Sequence, residues 1–422
     1  MMYKKKHGLS AWLKKIREFC AENRIPDSSV VFRIFLDIAD ETLLPLVLLE
    51  IRGMFPDALY AGSTSAGNIV YGSLVDSHIA ISCTVYEDPG TQVRIIRLPM
   101  SFETQKESVM NLRDVLRDNP WVKAVEIMMT MGGVDMDALC QDLSELPENI
   151  MIYGGCAHAA ETKWIDLSRT FVFSSDGEAV RQYAVFILLG GPELHISARY
   201  LIGWRQIGGS IPITDAEGRY IHTLGNVPAG EVYKRKLQIP EGRHYFALVN
   251  VFPLGFRTNG TPYLRIVTGI QEDGGIRLSS FIRKDTKRCA FTFGNTADIM
   301  HKLQENLAVV QEFSPQVIQM FSCAARLLFW GRGEVSRETM PFETIAHTSG
   351  FYTAGEFLRS GKDVLLHNVT NVIVAQREGE PSGSGPEARV LHEELSLQML
   401  ISECLVNFIE SQTEEAERWE NS

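Results

Sequence analysis

The stretch Tyr60-Ala-Gly-Ser-Thr-Ser-Ala-Gly-Asn68 is a glycine turn built almost entirely of small residues. Similar turns recur as Tyr153-Gly-Gly-Cys-Ala-His-Ala-Ala-Glu161 and Ser349-Gly-Phe-Tyr-Thr-Ala-Gly-Glu356, and the three share the pattern G-x-x-x-A-[G/A]-[N/E]. Helix-like and strand-like segments alternate before each turn, and strand-like residues follow it. We interpret this order as a repeated helix, strand, helix, strand, glycine turn and antiparallel strand unit. The alternative is a chance recurrence of small residues after strands.

Hydrophobic periodicity places the elements around the turns. Helices are predicted at Leu9–Asn23, Thr42–Met54, Phe102–Arg117, Val134–Leu146, Ala297–Glu312 and Cys323–Trp330. Strands are predicted at Ser29–Ile38, Ala58–Gly62, His78–Glu87, Gln92–Leu98, Lys123–Met131, Asn149–Gly155, Phe171–Ser174, Gln182–Leu189, His195–Ile202, Gln316–Phe321 and Val364–Ala375. A turn-rich region between the second and third units adds strands at Tyr245–Val251, Tyr263–Gly269, Gly275–Phe281 and Arg288–Phe293.

The predicted fold class is therefore α+β, with two mixed α/β modules and a C-terminal helix. The first module spans residues 1–225 and the second spans residues 226–377. Residues 378–422 are predicted to form a flexible linker and the C-terminal helix. Gly379–Glu387 has the composition of a linker, and Ala388–Glu410 is apolar with a helical pattern.

Composition excludes several classes of protein. The 422 residues carry 41 Lys and Arg against 52 Asp and Glu, a formal charge of −11, which disfavours binding to nucleic acid backbones. No apolar run reaches the length of a membrane helix, so no membrane partner is expected. The seven cysteines are scattered without a C-x-x-C pair, which is typical of reduced thiols in the cytoplasm.

The sequence contains only weak matches to known phosphate-binding, metal-binding and catalytic motifs. No Lys-Ser or Lys-Thr follows the glycine turns, so they do not form a P-loop. Cys156-Ala-His158 has no second pair at zinc-like spacing, and no metal site is predicted. Haem bound without covalent attachment needs only one axial ligand, and His158, His347 and His367 are among the candidates. Cys156 and Cys323 lie at predicted strand ends, but no nucleophile signature surrounds them.

Arg265 and Arg326 each lie in an otherwise apolar segment. A buried arginine must be paired or must face a ligand carboxylate. An internal ion pair, with Glu356 as a candidate partner, and ligand recognition are both open interpretations. Of the two arginines, Arg265 is the better candidate for a purely structural pair.

The ordered set of motifs resembles the FIST sensory domains, an N-terminal and a C-terminal module. The N-terminal likeness rests on Ala61-Gly-Ser-Thr-Ser-Ala-Gly-Asn68, which departs from the family turn at Ser65 and Asn68, and on the junction Asn226-Val-Pro-Ala-Gly-Glu-Val-Tyr233. The C-terminal likeness rests on Pro253-Leu-Gly255, Tyr263-Leu-Arg265, Phe321-Ser-Cys-Ala-Ala-Arg326, Gly350-Phe-Tyr-Thr-Ala-Gly-Glu356 and His367-Asn-Val-Thr370. Together these motifs cover about residues 25–377.

The resemblance implies an intracellular, non-enzymatic sensor of a small molecule such as an amino acid or another small carboxylate, with no cofactor. The implied output is a diguanylate cyclase, a histidine kinase or a chemotaxis module, and the C-terminal helix is a candidate homodimer contact. A haem-based nitric oxide sensor and a cysteine-dependent enzyme are the alternatives. The candidate ligand-binding residues are Ser63, Thr64, Gly67, Arg265, Cys323, Arg326, Tyr352, Gly355, Glu356 and Asn368.

Overall fold

The computed structural model of the chain describes residues 8–37, 42–75, 78–159, 167–175, 177–238 and 251–381. The described residues form two compact units that interleave along the chain. Of the described residues, those in 8–200, 307–366 and 370–381 belong to the first unit, and those in 201–306 and 367–369 belong to the second. The fold is α+β, as predicted.

The helices of the described residues are α1 (Leu9–Asn23), α2 (Leu44–Met54), α3 (Gln105–Asp118), α4 (Met136–Ser144), α5 (Ala229–Leu237), α6 (Thr296–Phe313), α7 (Ala324–Trp330) and α8 (Met340–Glu343). The strands before residue 202 are β1 (Val30–Leu36), β2 (Leu59–Thr64), β3 (Asn68–Val70), β4 (Ser73–Val75), β5 (Ile79–Val85), β6 (Gln92–Pro99), β7 (Val122–Met129), β8 (Met151–Cys156), β9 (Val172–Ser174), β10 (Gly177–Val180), β11 (Tyr183–Gly190) and β12 (Leu194–Leu201).

The strands that follow are β13 (Trp204–Glu217), β14 (Tyr220–Leu224), β15 (Val227–Pro228), β16 (Leu254–Thr258), β17 (Thr261–Arg265), β18 (Val267–Ile270), β19 (Ile276–Leu278), β20 (Arg288–Gly294), β21 (Val317–Cys323), β22 (His347–Thr353), β23 (Glu356–Ser360), β24 (Asp363–His367) and β25 (Asn371–Glu378).

Three sheets build the first unit. The first sheet has the order β10-β9-β2-β1-β5, the second β24-β23-β8-β7-β11-β6, and the third β12-β25-β21-β22-β3-β4. Each is centred on a parallel pair, β1 with β2, β7 with β8, and β21 with β22. An antiparallel strand flanks the first member of each pair, namely β5, β11 and β25.

The strand that leaves each glycine turn joins a different sheet. After the first turn, β3 pairs with β22 of the third sheet. After the second turn, β9 pairs with β2 of the first sheet, and after the third turn β23 pairs with β8 of the second. The three sheets are thus closed on one another in a cycle. The predicted duplication along the sequence remains a prediction.

Glycine is required in the parallel pairs because the backbones approach closely. A Cβ at Gly62, Gly154 or Gly350 would lie 2.0, 2.0 and 1.9 Å from a carbonyl oxygen of the paired strand. Those oxygens belong to Ile34, Ile127 and Met320. Such distances are far below a van der Waals contact, so any side chain would push the paired strands apart.

Apolar packing fixes both faces of the first sheet. The buried residues of α1 include Trp12, Leu13 and Ile16, and their spacing of three and four residues turns one helix face to Phe32 and Ile34. The opposite face joins a cluster shared with the other two sheets: Val31, Phe35, Met128, Phe321 and Phe351 are among its members. Each such side chain contributes about 1.5–3 kcal/mol when it is fully buried.

The second unit is one antiparallel sheet with the order β17-β16-β20-β13-β14-β19-β18, in which β15 pairs with β14. Helix α5 packs through Val232 and Tyr233 into a core that includes Tyr263 and Phe291. The sequence analysis missed this helix, whose first residue directly follows Pro228.

Two strand predictions differ from the structure. The segment Val364–Ala375 forms two strands, β24 and β25, because Val369 between them has φ of 60° and breaks the extended backbone. The segment Tyr263–Gly269 likewise divides into β17 and β18. The strands β5 and β6 are consecutive in the chain, on either side of Asp88-Pro89-Gly90, but belong to different sheets.

Some predictions fall outside the described residues. These are the strand Tyr245–Val251 except for its last residue, most of the linker Gly379–Glu387 and the helix Ala388–Glu410. Within the described residues, no helix combines the length and the apolar character that crossing a bilayer needs.

Candidate functional site

The three glycine turns meet in the first unit at the carboxyl ends of the parallel strands. We call residues 60–68, 153–159 and 349–356 the turn ring. Three backbone hydrogen bonds of 3.0 Å join the turns in a cycle: Ala66 N–H to Tyr352 O, Ala354 N–H to Cys156 O, and His158 N–H to Thr64 O. The same bond is therefore made at each of the three junctions, which holds the turns rigidly together.

A second bond strengthens two of the junctions. The Tyr352 N–H donates to Gly67 O, and the Cys156 N–H donates to Gly355 O, both at 2.8 Å. At the third junction the Thr64 N–H donates instead to Phe171 O at 3.2 Å. The third junction therefore lacks the second hydrogen bond between turns that the other two have, and we expect it to be the most adaptable of the three.

Two turns carry the same side-chain bond inside the ring. The Ser65 hydroxyl donates to the Asn68 amide oxygen at 2.7 Å, and the Thr353 hydroxyl donates to Glu356 Oε1. In both cases the acceptor lies three residues after the hydroxyl. Asn68, which departs from the family turn, thus keeps the acceptor that Glu356 provides in the third turn.

Glu356 is fully buried in this ring. Desolvation raises the pKa of its carboxyl well above the usual range, although the Thr353 hydroxyl, the Thr370 backbone and the Cys323 thiol act against that shift. Burial therefore favours the protonated, neutral form of this side chain. A neutral acid can donate a hydrogen bond to a ligand, which a carboxylate cannot do.

Two cysteines lie close to this acid. Cys323 is buried at the end of β21, and its N–H donates to Thr370 O at 2.8 Å. Burial raises the pKa of the Cys156 thiol well above its usual range, and the nearby Glu356 adds to this effect. A thiol held in its protonated form is a poor nucleophile.

Arg326 forms a buried ion pair with Glu338. Its Nε lies 2.5 Å from Glu338 Oε2, and its Nη2 lies 2.7 Å from Oε1. Trp330 Nε1 donates to the same carboxylate. The partner of Arg326 is therefore Glu338, not Glu356, and the sequence analysis overlooked it. Because both groups are almost fully buried, each charge depends on the other.

A row of buried polar side chains crosses the third sheet behind this turn. Asn371, Ser322 and Tyr352 lie opposite one another on β25, β21 and β22. Neither the Ser322 hydroxyl nor the Asn371 amide has a hydrogen-bond partner among the described residues. Unpaired buried groups cost about 1–3 kcal/mol each, so a ligand that paired with them would gain this energy.

Two predicted site residues lie in the second unit. Arg265 donates from Nε to Phe281 O and from Nη1 to Leu264 O, both at 2.9 Å, and its guanidinium lies over the ring of Tyr263. Asn368 accepts from the Ser279 hydroxyl at 2.9 Å. The turn ring and the start of α7 thus bring together Ser63, Thr64, Gly67, Cys323, Arg326, Tyr352, Gly355 and Glu356, all within the first unit.

The histidines suggested as haem ligands have different surroundings. Burial lowers the pKa of His158, whose Nδ1 lies 2.8 Å from Ala159 O. Burial also lowers the pKa of His367, to about 3. His347 is exposed and lies against Glu343. Across the described residues, no three His, Cys, Asp or Glu side chains are grouped in a way that could hold a metal ion.

Sequence reasoning also missed a polar network in the centre of the first unit. Arg33 and Glu126 form a fully buried ion pair, with Nε at 3.0 Å from Oε1 and Nη2 at 2.8 Å from Oε2. Gln319, with its amide oxygen towards the guanidinium, accepts from Arg33 Nε at 2.7 Å. Burial alone would lower the pKa of Arg33, but the Glu126 carboxylate outweighs it and raises that pKa.

These three residues occupy equivalent positions. They lie on β1, β7 and β21, the first strands of the three parallel pairs. Each is followed directly by the residue whose carbonyl oxygen closely approaches the glycine of the paired strand. A signal for two of them was present in the sequence. Arg33 is the one charged residue of β1, and Glu126 lies within the otherwise apolar run 124–129 of β7; a charge among apolar residues is the same feature that drew attention to Arg326.

A cavity of about 910 Å³ opens in the first unit, and its lining includes residues near the amino ends of two parallel strands. Thr84, Tyr86 and Gln376 line it and also connect it to the network, because Arg33 Nη1 donates to the Thr84 hydroxyl and the Tyr86 hydroxyl donates to Gln376. The cavity lies at the amino ends of β21 and β22, where Val317 and Ser349 contribute to its lining.

Comparisons with known proteins cover most of the chain. Residues 31–226 match the family model of the FIST N domain, and residues 229–359 match that of the FIST C domain. No curated protein matches the chain. Among solved structures, one described as cyanuic acid hydrolase from A. caulinodans covers 86% of this chain and 94% of its own, at 8% identity and a TM-score of 0.29. A likeness of that size carries no argument about fold or function.

Proposed function

Because the chain belongs to the FIST family, whose domains are the small-ligand-binding sensory parts of signalling proteins, we propose that it is a ligand sensor without enzymatic activity. The single observation that carries this proposal is the fully buried carboxyl of Glu356 inside the turn ring, whose protonated form burial favours. It combines a hydrogen-bond donor with a rigid frame, as a recognition site requires.

The proposed ligand is an amino acid or another small carboxylate bound beside the third turn. Its carboxylate would accept the proton of Glu356 in a hydrogen bond. Arg326 would act through position rather than charge, because Glu338 already neutralises its guanidinium. Tyr352 would form one wall of the site.

The protonated thiol of Cys156 supports sensing over thiolate catalysis. The haem-based alternative is tested by visible absorbance, since a haem protein has a Soret band. None of the six described cysteines forms a disulfide, which supports the proposal of a reducing, cytoplasmic location.

The experiment is a thermal-shift screen of the purified full chain against amino acids and small carboxylates, followed by calorimetry on each hit. A ligand that binds only the native state raises the melting temperature by mass action. We expect Glu356→Gln to keep measurable binding because the amide still donates, and Glu356→Ala to lose it. Equal affinity in the Ala variant would contradict the proposed site.

A sensor must pass its ligand state to an output. We propose a diguanylate cyclase, histidine kinase or chemotaxis module as that output, and a homodimer through residues 388–410 as the assembly that couples to it. The oligomeric state of the full chain and of a chain ending at residue 381 tests the dimer. A dimer that survives the truncation would contradict it.

A further inference from the structure

The first sheet lacks a strand that the other two sheets have. In the second sheet β6 pairs with the outer edge of β11, and in the third β12 pairs with the outer edge of β25. In the first sheet, β5 takes the position that β11 and β25 take in the other two. The register shows this equivalence: Ser82 of β5 lies opposite Arg33, Ile187 of β11 lies opposite Glu126, and Val374 of β25 lies opposite Gln319. Within the described ranges, no strand pairs with the outer edge of β5.

The backbone groups on this edge can be assigned. His78 O accepts from the Asp37 N–H, and the Tyr86 N–H donates to Ser29 O. The backbone N–H and C=O groups of the even-numbered residues of β5 therefore point to β1. Peptide groups alternate along a strand, and those of Ile81, Cys83 and Val85 therefore point outward. An unpaired row of this kind is a template for an added strand.

The cavity of about 910 Å³ runs along this same edge. Ser82 to Pro89 line it without interruption, although alternate strand residues face opposite sides of a sheet. An unbroken run therefore means that the cavity follows the strand edge and not one face. The edge is accessible to an extended segment.

The rim of this cavity is acidic. Glu87, Asp88, Glu193 and Glu378 contribute carboxylates to its lining. Arg377, which also lines it, donates to Phe313 O and Gly379 O and lies over the Phe313 ring. Charge complementarity thus favours a basic occupant.

The chain path identifies a segment of that chemistry. In the second sheet, β6 directly precedes α3, which leads into β7 with only residues 100–104 between strand and helix. In the first sheet, α1 leads into β1, and residues 1–7 precede α1. These residues read Met-Met-Tyr-Lys-Lys-Lys-His and would span about 23 Å if extended. The seven residues of β5 have the same length.

We propose that the outer edge of β5 binds an extended lysine-rich strand, and that residues 1–7 of this chain supply it. The added strand completes the first sheet as β6 completes the second. Lys4, Lys5 and Lys6 lie beside the acidic rim in this arrangement, so the contact weakens as salt rises.

Amide hydrogen exchange on the full chain tests this proposal at single residues. We expect the outward amides of Ile81, Cys83 and Val85 to be protected, and protection to fall at least tenfold when residues 2–7 are deleted. The amides of Ser82 and Thr84 face β1 and serve as internal controls, which stay protected in both chains. Adding a synthetic peptide of residues 1–8 to the deleted chain should restore the protection.

A second variant guards against loss of folding. Lys4→Glu, Lys5→Glu and Lys6→Glu together should reduce protection of the same three amides, while Lys14→Glu with Lys15→Glu on exposed positions of α1 should not. Free exchange of the three amides in the full chain would overturn the proposal. Protection that survives the deletion, or that depends on residues 382–422 or on protein concentration, would assign the edge to another occupant and would also overturn it.

Discussion

Arg33 and Glu126 lie on the central strands of two different sheets, 93 residues apart in sequence, and form an ion pair from which solvent is excluded. Their positions relative to the close-approach glycines are the same. The pair therefore joins the first and second sheets, and Gln319 of the third sheet lies at the equivalent position beside it. It explains why Arg33 and Glu126 each lie among apolar residues of their strands.

Removing one partner should be much worse than removing both. Glu126→Ala leaves the Arg33 guanidinium buried without a counter-ion, and we expect the free energy of unfolding to fall by about 3–5 kcal/mol. The double variant Arg33→Met with Glu126→Leu removes both charges and should lie within about 1–2 kcal/mol of the wild type. Urea denaturation measures both. A single variant as stable as the double one would contradict this account.

The glycines of the parallel pairs should not tolerate a methyl group. Gly62→Ala places a Cβ 2.0 Å from Ile34 O, and we expect a loss of about 3 kcal/mol or more, since the contact is with backbone. Gly53→Ala is the matched control because no atom lies within 4 Å of its Cβ and the residue is in α2. There we expect a gain of about 0.5–1 kcal/mol from helix propensity. Similar effects at the two positions would refute the close-approach argument.

Glu356 should make stability fall as the pH rises. Its pKa is raised in the folded chain, so the native state keeps a proton that the unfolded chain releases above its ordinary pKa of 4.5. Stability is then lost between that pH and the folded pKa, by up to about 1.4 kcal/mol per pH unit. Glu356→Gln should remove this slope. Urea unfolding of both chains between pH 5 and pH 8 measures the difference, and parallel curves would show that Glu356 is ionised in the fold.

The pair of Arg326 and Glu338 gives a related prediction. Arg326→Ala leaves Glu338 buried and unpaired and should cost about 3–5 kcal/mol of stability, so the fold does not remain unaffected. The variant Arg326→Met with Glu338→Leu separates stability from ligand recognition. If it folds and still binds the ligand found by screening, Arg326 only supports the site. Complete loss of binding in a stable double variant would instead show that the Arg326 guanidinium contacts the ligand directly.

Local patterns in the sequence were sufficient for several elements. The apolar spacing of Leu9, Trp12, Leu13 and Ile16 predicts α1 with both of its ends, and the small residues around Gly62 mark the first turn. The resemblance to the FIST domains, drawn from ordered motifs, is confirmed by the family comparison.

Other features depend on contacts that no local pattern encodes. The strands on either side of Asp88-Pro89-Gly90 are predicted from local pattern, but their partners are not: β5 pairs with β1 in the first sheet and β6 with β11 in the second. The partner of Arg33 is 93 residues away, and its identity follows only from that cyclic arrangement. Arg326 was correctly seen as buried and needing a partner, but its partner Glu338 lies beyond α7 in a 3-10 helix.

The most direct test of the proposed function is calorimetry of the full chain with the strongest ligand from the amino acid and carboxylate screen, repeated with Glu356→Gln and Glu356→Ala. We predict measurable binding in the wild type, weaker binding in the Gln variant and none in the Ala variant. Undiminished affinity in the Ala variant would contradict the claim that Glu356 in the turn ring recognises the ligand.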